Sequence, residues 1–291
     1  MKKYIIAAML ALVLLLPTIG AVGITNKTLN VSSSTPVGTE LTHAVLGEYV
    51  TTTGCGYCPV ASSQLYSIYE SGDYDFYYVS LVADMNSKIY KRVSELGTEG
   101  VPDVHFDGGY KNLVGAQTDE QAYRTAIEQS GERTVADLDV DVSVEWKGGG
   151  TLKLSVTVQN NEAEEYDGHL RVYIVEKESR WNDAQGNPYH FGALDIPIDK
   201  SLAVSQGHAC PIGDSYTFTK TWLGALFGFD DIEQDNIMVI ASVFDGETDY
   251  VVQTAAAEPT SSASSVPFFG HFRILQFLKE QGFFPRLFHL L

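Results

Sequence analysis

The residues best suited to chemistry in this chain are Cys55 and Cys58, in Cys55-Gly56-Tyr57-Cys58-Pro59, with Val101-Pro102 further along. Two cysteines at this spacing on the first turn of a helix can close into a small disulfide and reopen. The unpaired N–H groups of a helix start favour a thiolate there. Cys55, at the exposed start, would attack, and Cys58, one turn inside, would resolve the mixed disulfide. Pro59 does not break such a helix, because the N–H it lacks has little to bond in a first turn. An inert structural bridge is the competing reading, but so short a loop restrains the unfolded chain little, which makes stabilisation a weak reason for it. Half of a zinc site fits less well, since neither a second CxxC nor paired histidines accompany the pair. No metal is assigned and no organic cofactor is needed.

The elements that must hold this pair can be read from periodicity. Ala44 to Val50 is strand-like and runs into Cys55, and Pro59 to Ser71 is helix-like. Phe76 to Val82 is an aromatic and β-branched strand. Asn86 to Leu96 carries Ile89, Val93 and Leu96 on one helical face and stops at Gly97. Val101 to Phe106 and Tyr110 to Val114 flank Asp107-Gly108-Gly109, a hairpin turn. Thr118-Asp119-Glu120-Gln121 has the form of a capping box and opens a helix that Ser130-Gly131 ends.

This βαβαββα order over Leu41 to Arg133, with CxxC after the first strand and a proline before the hairpin, resembles the thioredoxin family. The resemblance implies an α/β thioredoxin-like domain and a thiol-disulfide oxidoreductase. It makes Pro102 the cis-proline facing the disulfide, with the Val101 backbone free to hydrogen-bond an extended substrate. Gly56, Tyr57 and Val101 become the expected substrate contacts. Gly56-Tyr57 is the dipeptide of disulfide isomerases, and valine before the proline occurs in oxidising relatives, so both lean away from a strong reductant. The family's buried proton-carrying carboxylate falls at Tyr49 here, with Glu48 one residue earlier. Glu48 takes that catalytic role if the loop carries an extra residue; otherwise it is a surface glutamate at a strand end. Gly54 stands where the family usually has tryptophan, which puts the partner surface in doubt.

From Val135 the period becomes two. Leu138, Val140, Val142 and Val144 alternate with polar residues, and after Gly148-Gly149-Gly150 so do Leu152, Leu154, Val156 and Val158. Strand-like stretches recur at Leu170 to Val175, Tyr216 to Trp222, Ile237 to Phe244 and Tyr250 to Thr254. Alternation without helices predicts an all-β immunoglobulin-like sandwich over residues 134–257, following the thioredoxin-like domain at 41–133. Ser179 to Asp214 is not assignable by pattern. The stretch Glu48-Tyr49-Val50-Thr51-Thr52-Thr53-Gly54 before Cys55, with Val252-Gln253 in the last strand, resembles secreted archaeal and bacterial cell-surface proteins that pair these two domain types. The implied function is thiol-disulfide exchange on the thiols or disulfides of secreted or envelope proteins, supplied by an unidentified redox partner. A non-catalytic surface adhesion or assembly protein, its disulfide structural, is the alternative.

The ends of the chain bear on location. Lys2-Lys3, the apolar run Ile5 to Leu16, Pro17 and the small residues up to Gly23 read as a secretory signal peptide over 1–23. That run is shorter than the roughly twenty residues a spanning helix needs. A polar leader follows over 24–40, with sequons at Asn26 and Asn30. About 270 residues then remain, enough for two modest domains. A net charge of -18 argues against nucleic acid or anionic membrane as partners of the body. Cys210, in His208-Ala209-Cys210-Pro211, reads as a free, partly buried thiol in the irregular insert, with a third redox thiol or an intermolecular tether as the alternatives. Residues 258–267 read as a Ser/Pro linker. Phe268 to Leu291 is apolar and carries Arg273, Lys279 and Arg286, which suits a membrane interface or docking on a partner, with a helix packed back on the sandwich as the alternative. The expected location is secreted or extracytoplasmic, at the cell surface.

Overall fold

The apolar segment before the cysteines forms β1 (Val45–Thr51), buried along its whole length. The chain then turns into α1 (Cys58–Ser71), with Pro59 in its first turn and Gly72 closing it in the left-handed conformation at φ 64°. β2 (Phe76–Val82) returns parallel to β1. A 3-10 turn at Ser87–Ile89 leads into α2 (Tyr90–Leu96). β3 (Asp103–Phe106) and β4 (Lys111–Val114) form an antiparallel hairpin beside β1, and α3 (Gln121–Gly131) follows. Asp119 rather than Thr118 satisfies the start of α3, accepting from the Gln121 N–H at 3.0 Å.

This computed structural model describes residues 41–202 and 215–261, all within one compact unit. The expected signal peptide and leader, Cys210 and the segment from Phe268 lie outside the described residues. Beyond α3 the described residues are largely strand. The strands are β5 (Leu138–Gly148), β6 (Thr151–Asn160), β7 (Gly168–Asn182), β8 (Pro188–Ser201), β9 (Ser215–Leu223), β10 (Ile237–Asp245), β11 (Val251–Ala257) and β12 (Thr260–Ser261). β5, β6, β9 and β12 make a four-stranded sheet. The others join β1 to β4 in one eight-stranded sheet of order β11-β10-β7-β8-β2-β1-β3-β4.

The expected fold class is therefore corrected. An α/β thioredoxin-like domain followed by a separate immunoglobulin-like sandwich does not describe this molecule. The described chain is mostly strand, with three α-helices, and its large sheet runs unbroken from one half to the other. The physical cause is burial on both faces. Along β7 and β10, Val172, Ile174, Val239 and Ala241 enter the core covered by β5 and β6. Their neighbours Tyr173, Val175, Met238 and Ile240 enter the core shared with β1, β2 and α1. A strand buried on both sides reads as a near-continuous apolar run, as Ile237 to Phe244 does.

The seam between the halves is β2 against β8. It has a single parallel pair, Ser80 with Gly192, and side chains do the rest. Asn86 Nδ2 donates to the carbonyls of Ala193 (2.7 Å) and Leu194 (2.9 Å), and Ser80 Oγ donates to that of His190 (2.6 Å). The stretch that resisted assignment supplies β8 and the tip of the β7–β8 hairpin. There the Asp183 carboxylate accepts from the N–H groups of Gln185 (2.8 Å) and Asn187 (3.0 Å). Thr260 and Ser261, expected in a linker, pair with Glu145 and Trp146 of β5.

Candidate functional site

Strand directions bring four chain segments to one end of the large sheet: the ends of β1, β2 and β4 and the start of β3. The register sets Thr51 beside Val82, Val50 beside Asp103, and Asp103 beside Val114. Cys55-Gly56-Tyr57 crosses this end. Cys55 and Cys58 are bonded, with S–S 2.07 Å and Cα–Cα 5.4 Å. Cys58 is fully buried and Cys55 half-buried, so Cys55 presents the sulfur nearer solvent. The Cys58 N–H, at the start of α1, donates to Cys55 Sγ at 3.1 Å.

The loop leading to Cys55 is held from two sides. Asp84, just after β2, accepts from the Thr53 N–H (3.0 Å) and the Thr53 hydroxyl (2.5 Å). The Thr51 hydroxyl donates to the Tyr189 hydroxyl, which donates in turn to the Thr52 carbonyl, both at 2.9 Å. The Val101–Pro102 peptide bond is cis. Pro102 is buried, and its carbonyl accepts from the Gly115 N–H at 2.7 Å. Among the described residues, the N–H and C=O of Val101 make no backbone hydrogen bond.

Cys55, Gly56, Tyr57, Cys58, Val101 and Pro102 thus gather at one place. Glu48 does not join them. The Tyr49 hydroxyl donates to the Cys58 carbonyl at 2.9 Å, so Glu48, one residue earlier in the strand, points to the opposite face. There Arg92 Nε (2.7 Å), Arg92 NH2 (2.5 Å) and the Tyr173 hydroxyl (2.5 Å) engage both carboxylate oxygens. Burial pushes the Glu48 pKa up, but the charges of Arg92 and Arg171 and these hydrogen bonds outweigh it and hold the carboxyl below its usual range. A carboxylate so held is not placed to carry a proton to Cys58. Burial raises the Tyr49 pKa, so the residue actually facing Cys58 stays a neutral phenol. Tyr189, Asp84 and Asn86 were not singled out by sequence. Their only signal is position, just after β2 or in the stretch without a pattern.

Once the bridge is reduced, Cys55 is expected to react with iodoacetamide at neutral pH roughly tenfold or more faster than Cys58, since it alone combines solvent access with a helix N–H on its sulfur. Peptide mass spectrometry of the partly labelled protein checks this, and equal labelling of the two would contradict it. Among the described residues no three His, Cys, Asp or Glu side chains cluster as metal ligands, and no helix is long and apolar enough to cross a membrane.

No protein-family profile matches the chain, and no curated protein matches it. Among solved structures, HBP35 of Porphyromonas gingivalis is similar, at 19% identity and a TM-score of 0.56 over 77% of this chain and 79% of that one. A protein of Agrobacterium tumefaciens matches at 16% identity and TM-score 0.47, over 76% of this chain and 96% of its own. A domain of the outer membrane lipoprotein Omp28 from Porphyromonas gingivalis matches at 17% identity and TM-score 0.29, over 45% and 93%. The first of these shows a shared fold and nothing about activity. The resemblance to secreted thioredoxin-family oxidoreductases, drawn over Leu41 to Arg133 and followed by a sandwich, is accordingly corrected, because the shared fold is the mixed, strand-rich one described above. Thiol-disulfide exchange on secreted proteins is corrected with it. HBP35 is not described as an oxidoreductase, and toward that activity the site offers only the bonded cysteine pair.

Proposed function

We propose that the chain is an extracytoplasmic, surface-associated binding protein that holds an extended segment of another secreted or envelope protein across the Cys55 end of the large sheet. Apolar exposure carries this reading. Tyr57 is 74% exposed, Val114 57%, Met85 50% and Val60 41%, four of the eight large hydrophobic residues exposed among the described ones. All four lie at or beside the disulfide end, and apolar side chains gathered in the open mark contact surfaces. Next to them the Val101 N–H and C=O make no backbone hydrogen bond among the described residues, and they are the pair that an added strand uses. On this reading the disulfide fixes the loop that presents Tyr57. The basic start of the chain followed by an apolar run supports export, and a closed disulfide suits an oxidising compartment.

The test uses the mature full chain and peptides selected against it from a displayed random library. Tyr57→Ala and Met85→Ser are each expected to weaken those peptides about tenfold, roughly 1.4 kcal/mol, by fluorescence anisotropy. Unchanged affinity in both variants would remove the site. Cys58→Ser, expressed with export, is expected to leave no partner covalently attached to Cys55. Reductant-sensitive complexes through Cys55 would overturn the binding role in favour of turnover at the disulfide.

A further inference from the structure

α1 and the β7–β8 hairpin enclose two adjoining cavities of about 560 Å³ and 410 Å³. They share Tyr66, Glu70 and His190, and so form one groove running from Pro59 and Val60, beside the disulfide, to Glu258. The groove has an aromatic lining. Tyr66 stacks on His190 with ring centroids 3.5 Å apart, and Tyr69 meets Phe191 edge-on at 4.6 Å. Around these rings lie Glu70, Glu178 and Glu258. The lining's one long cation, Lys177, is already paired with Glu258 at 2.8 Å. An aromatic groove ringed by surplus carboxylates fits an apolar segment that carries positive charge.

Such a segment begins nearby. The described chain ends at Ser261, three residues past Glu258, which itself lines the groove, and 30 residues follow. The first six, Ser262 to Pro267, can span about 20 Å when extended. The remainder holds Arg273, Lys279 and Arg286 against the single acid Glu280, in a chain whose net charge is -18. We infer that the groove is the docking site of the chain's own C-terminal segment, Phe268 to Leu291, with its phenylalanines and leucines on the aromatic lining and its cations against Glu70 and Glu178. Docked there, the segment lies against Val60 and borders the Cys55 rim. The inference does not depend on what the Cys55 end holds, so the two can fail separately.

The experiment places the photo-cross-linker p-benzoylphenylalanine at Ser63, an exposed residue of the groove, in the mature full chain. Irradiation is expected to join position 63 to peptides from 268–291 of the same molecule. Glu70→Lys with Glu178→Lys, both exposed and so harmless to folding, should cut that yield about fivefold. Isotopically labelled and unlabelled chains are mixed as a control, and mixed-isotope products would assign the groove to a second copy and overturn the inference. So would absence of the cross-link, whether or not the segment binds phosphatidylglycerol vesicles, with vesicle binding pointing to a membrane role instead.

Discussion

Replacing Glu48 with alanine is expected to cost the folded protein about 3–5 kcal/mol, read as a lower urea midpoint, because it leaves a buried cation without its partner. The Glu48 side chain is 0% exposed and that of Arg92 8%, and two of the guanidinium nitrogens are spent on this one carboxylate. Glu95 limits the damage, since it is a third exposed and already touches Arg92 at 3.3 Å and Arg171 at 2.8 Å. The Tyr173 hydroxyl, fully buried, loses its acceptor as well. Removing both charges as Glu48→Leu with Arg92→Met should recover part of the loss, since an apolar pair needs no compensation while the buried Tyr173 hydroxyl still lacks its acceptor. The pH dependence has a definite sign. The folded pKa of Glu48 lies below its ordinary value of 4.5, so its contribution is complete above that value and disappears as pH falls through the folded one. Glu48→Ala should flatten this acid limb of the stability curve. The same variant should leave the pH profile of Cys55 alkylation where it was. A displaced profile without lost stability would restore Glu48 to the disulfide and sink the structural account.

Glu48 also illustrates what a sequence conceals. A one-residue offset decides which face of β1 a side chain takes, and its partners Arg92 and Tyr173 are 44 and 125 residues away. No local pattern reports that. Local elements were legible: Phe76 to Val82 matches β2 residue for residue, and Cys58 opens α1, although Cys55 sits in the loop before it instead of on its first turn. Partnership between strands was not. Ile237 to Phe244 is apolar almost without interruption, which signals burial on both faces, whereas the sandwich predicted over 134–257 rests on the one-face alternation of the strands before it. β8 escaped because its alternation is broken. Its register against β7 shifts repeatedly, Phe191 adopts φ 53°, and Asp195 and Asp199 point at Trp222 Nε1 and at Lys91, His169 and Arg171 instead of following an in–out rhythm. The missed strand is the one that joins the two halves.

That junction predicts how the molecule comes apart. Ile174, fully buried in the core under β5 and β6, sits one residue from Tyr173, which binds Glu48 in the other core. Ile174→Ala is expected to cost about 2–5 kcal/mol. All three tryptophans, Trp146, Trp181 and Trp222, pack in or against the core that contains Ile174. The three α-helices belong to the stretch before residue 132. Trp181 also touches the core on the helical side, but Trp146 and Trp222 pack only with the far one. Tryptophan fluorescence therefore weights the far half and helical circular dichroism reports the near one. In urea they should shift together, with one midpoint in the wild type and one lower midpoint in the variant. A tryptophan transition that moves ahead of the helical one would mean the halves unfold separately, and the continuous sheet would then be a pairing of little strength. Coincidence has a consequence for binding too. β8 carries Tyr189, which braces the Thr51–Thr52 loop before Cys55, so loosening the far core should raise the mobility of the rim and weaken captured peptides without altering any residue that touches them.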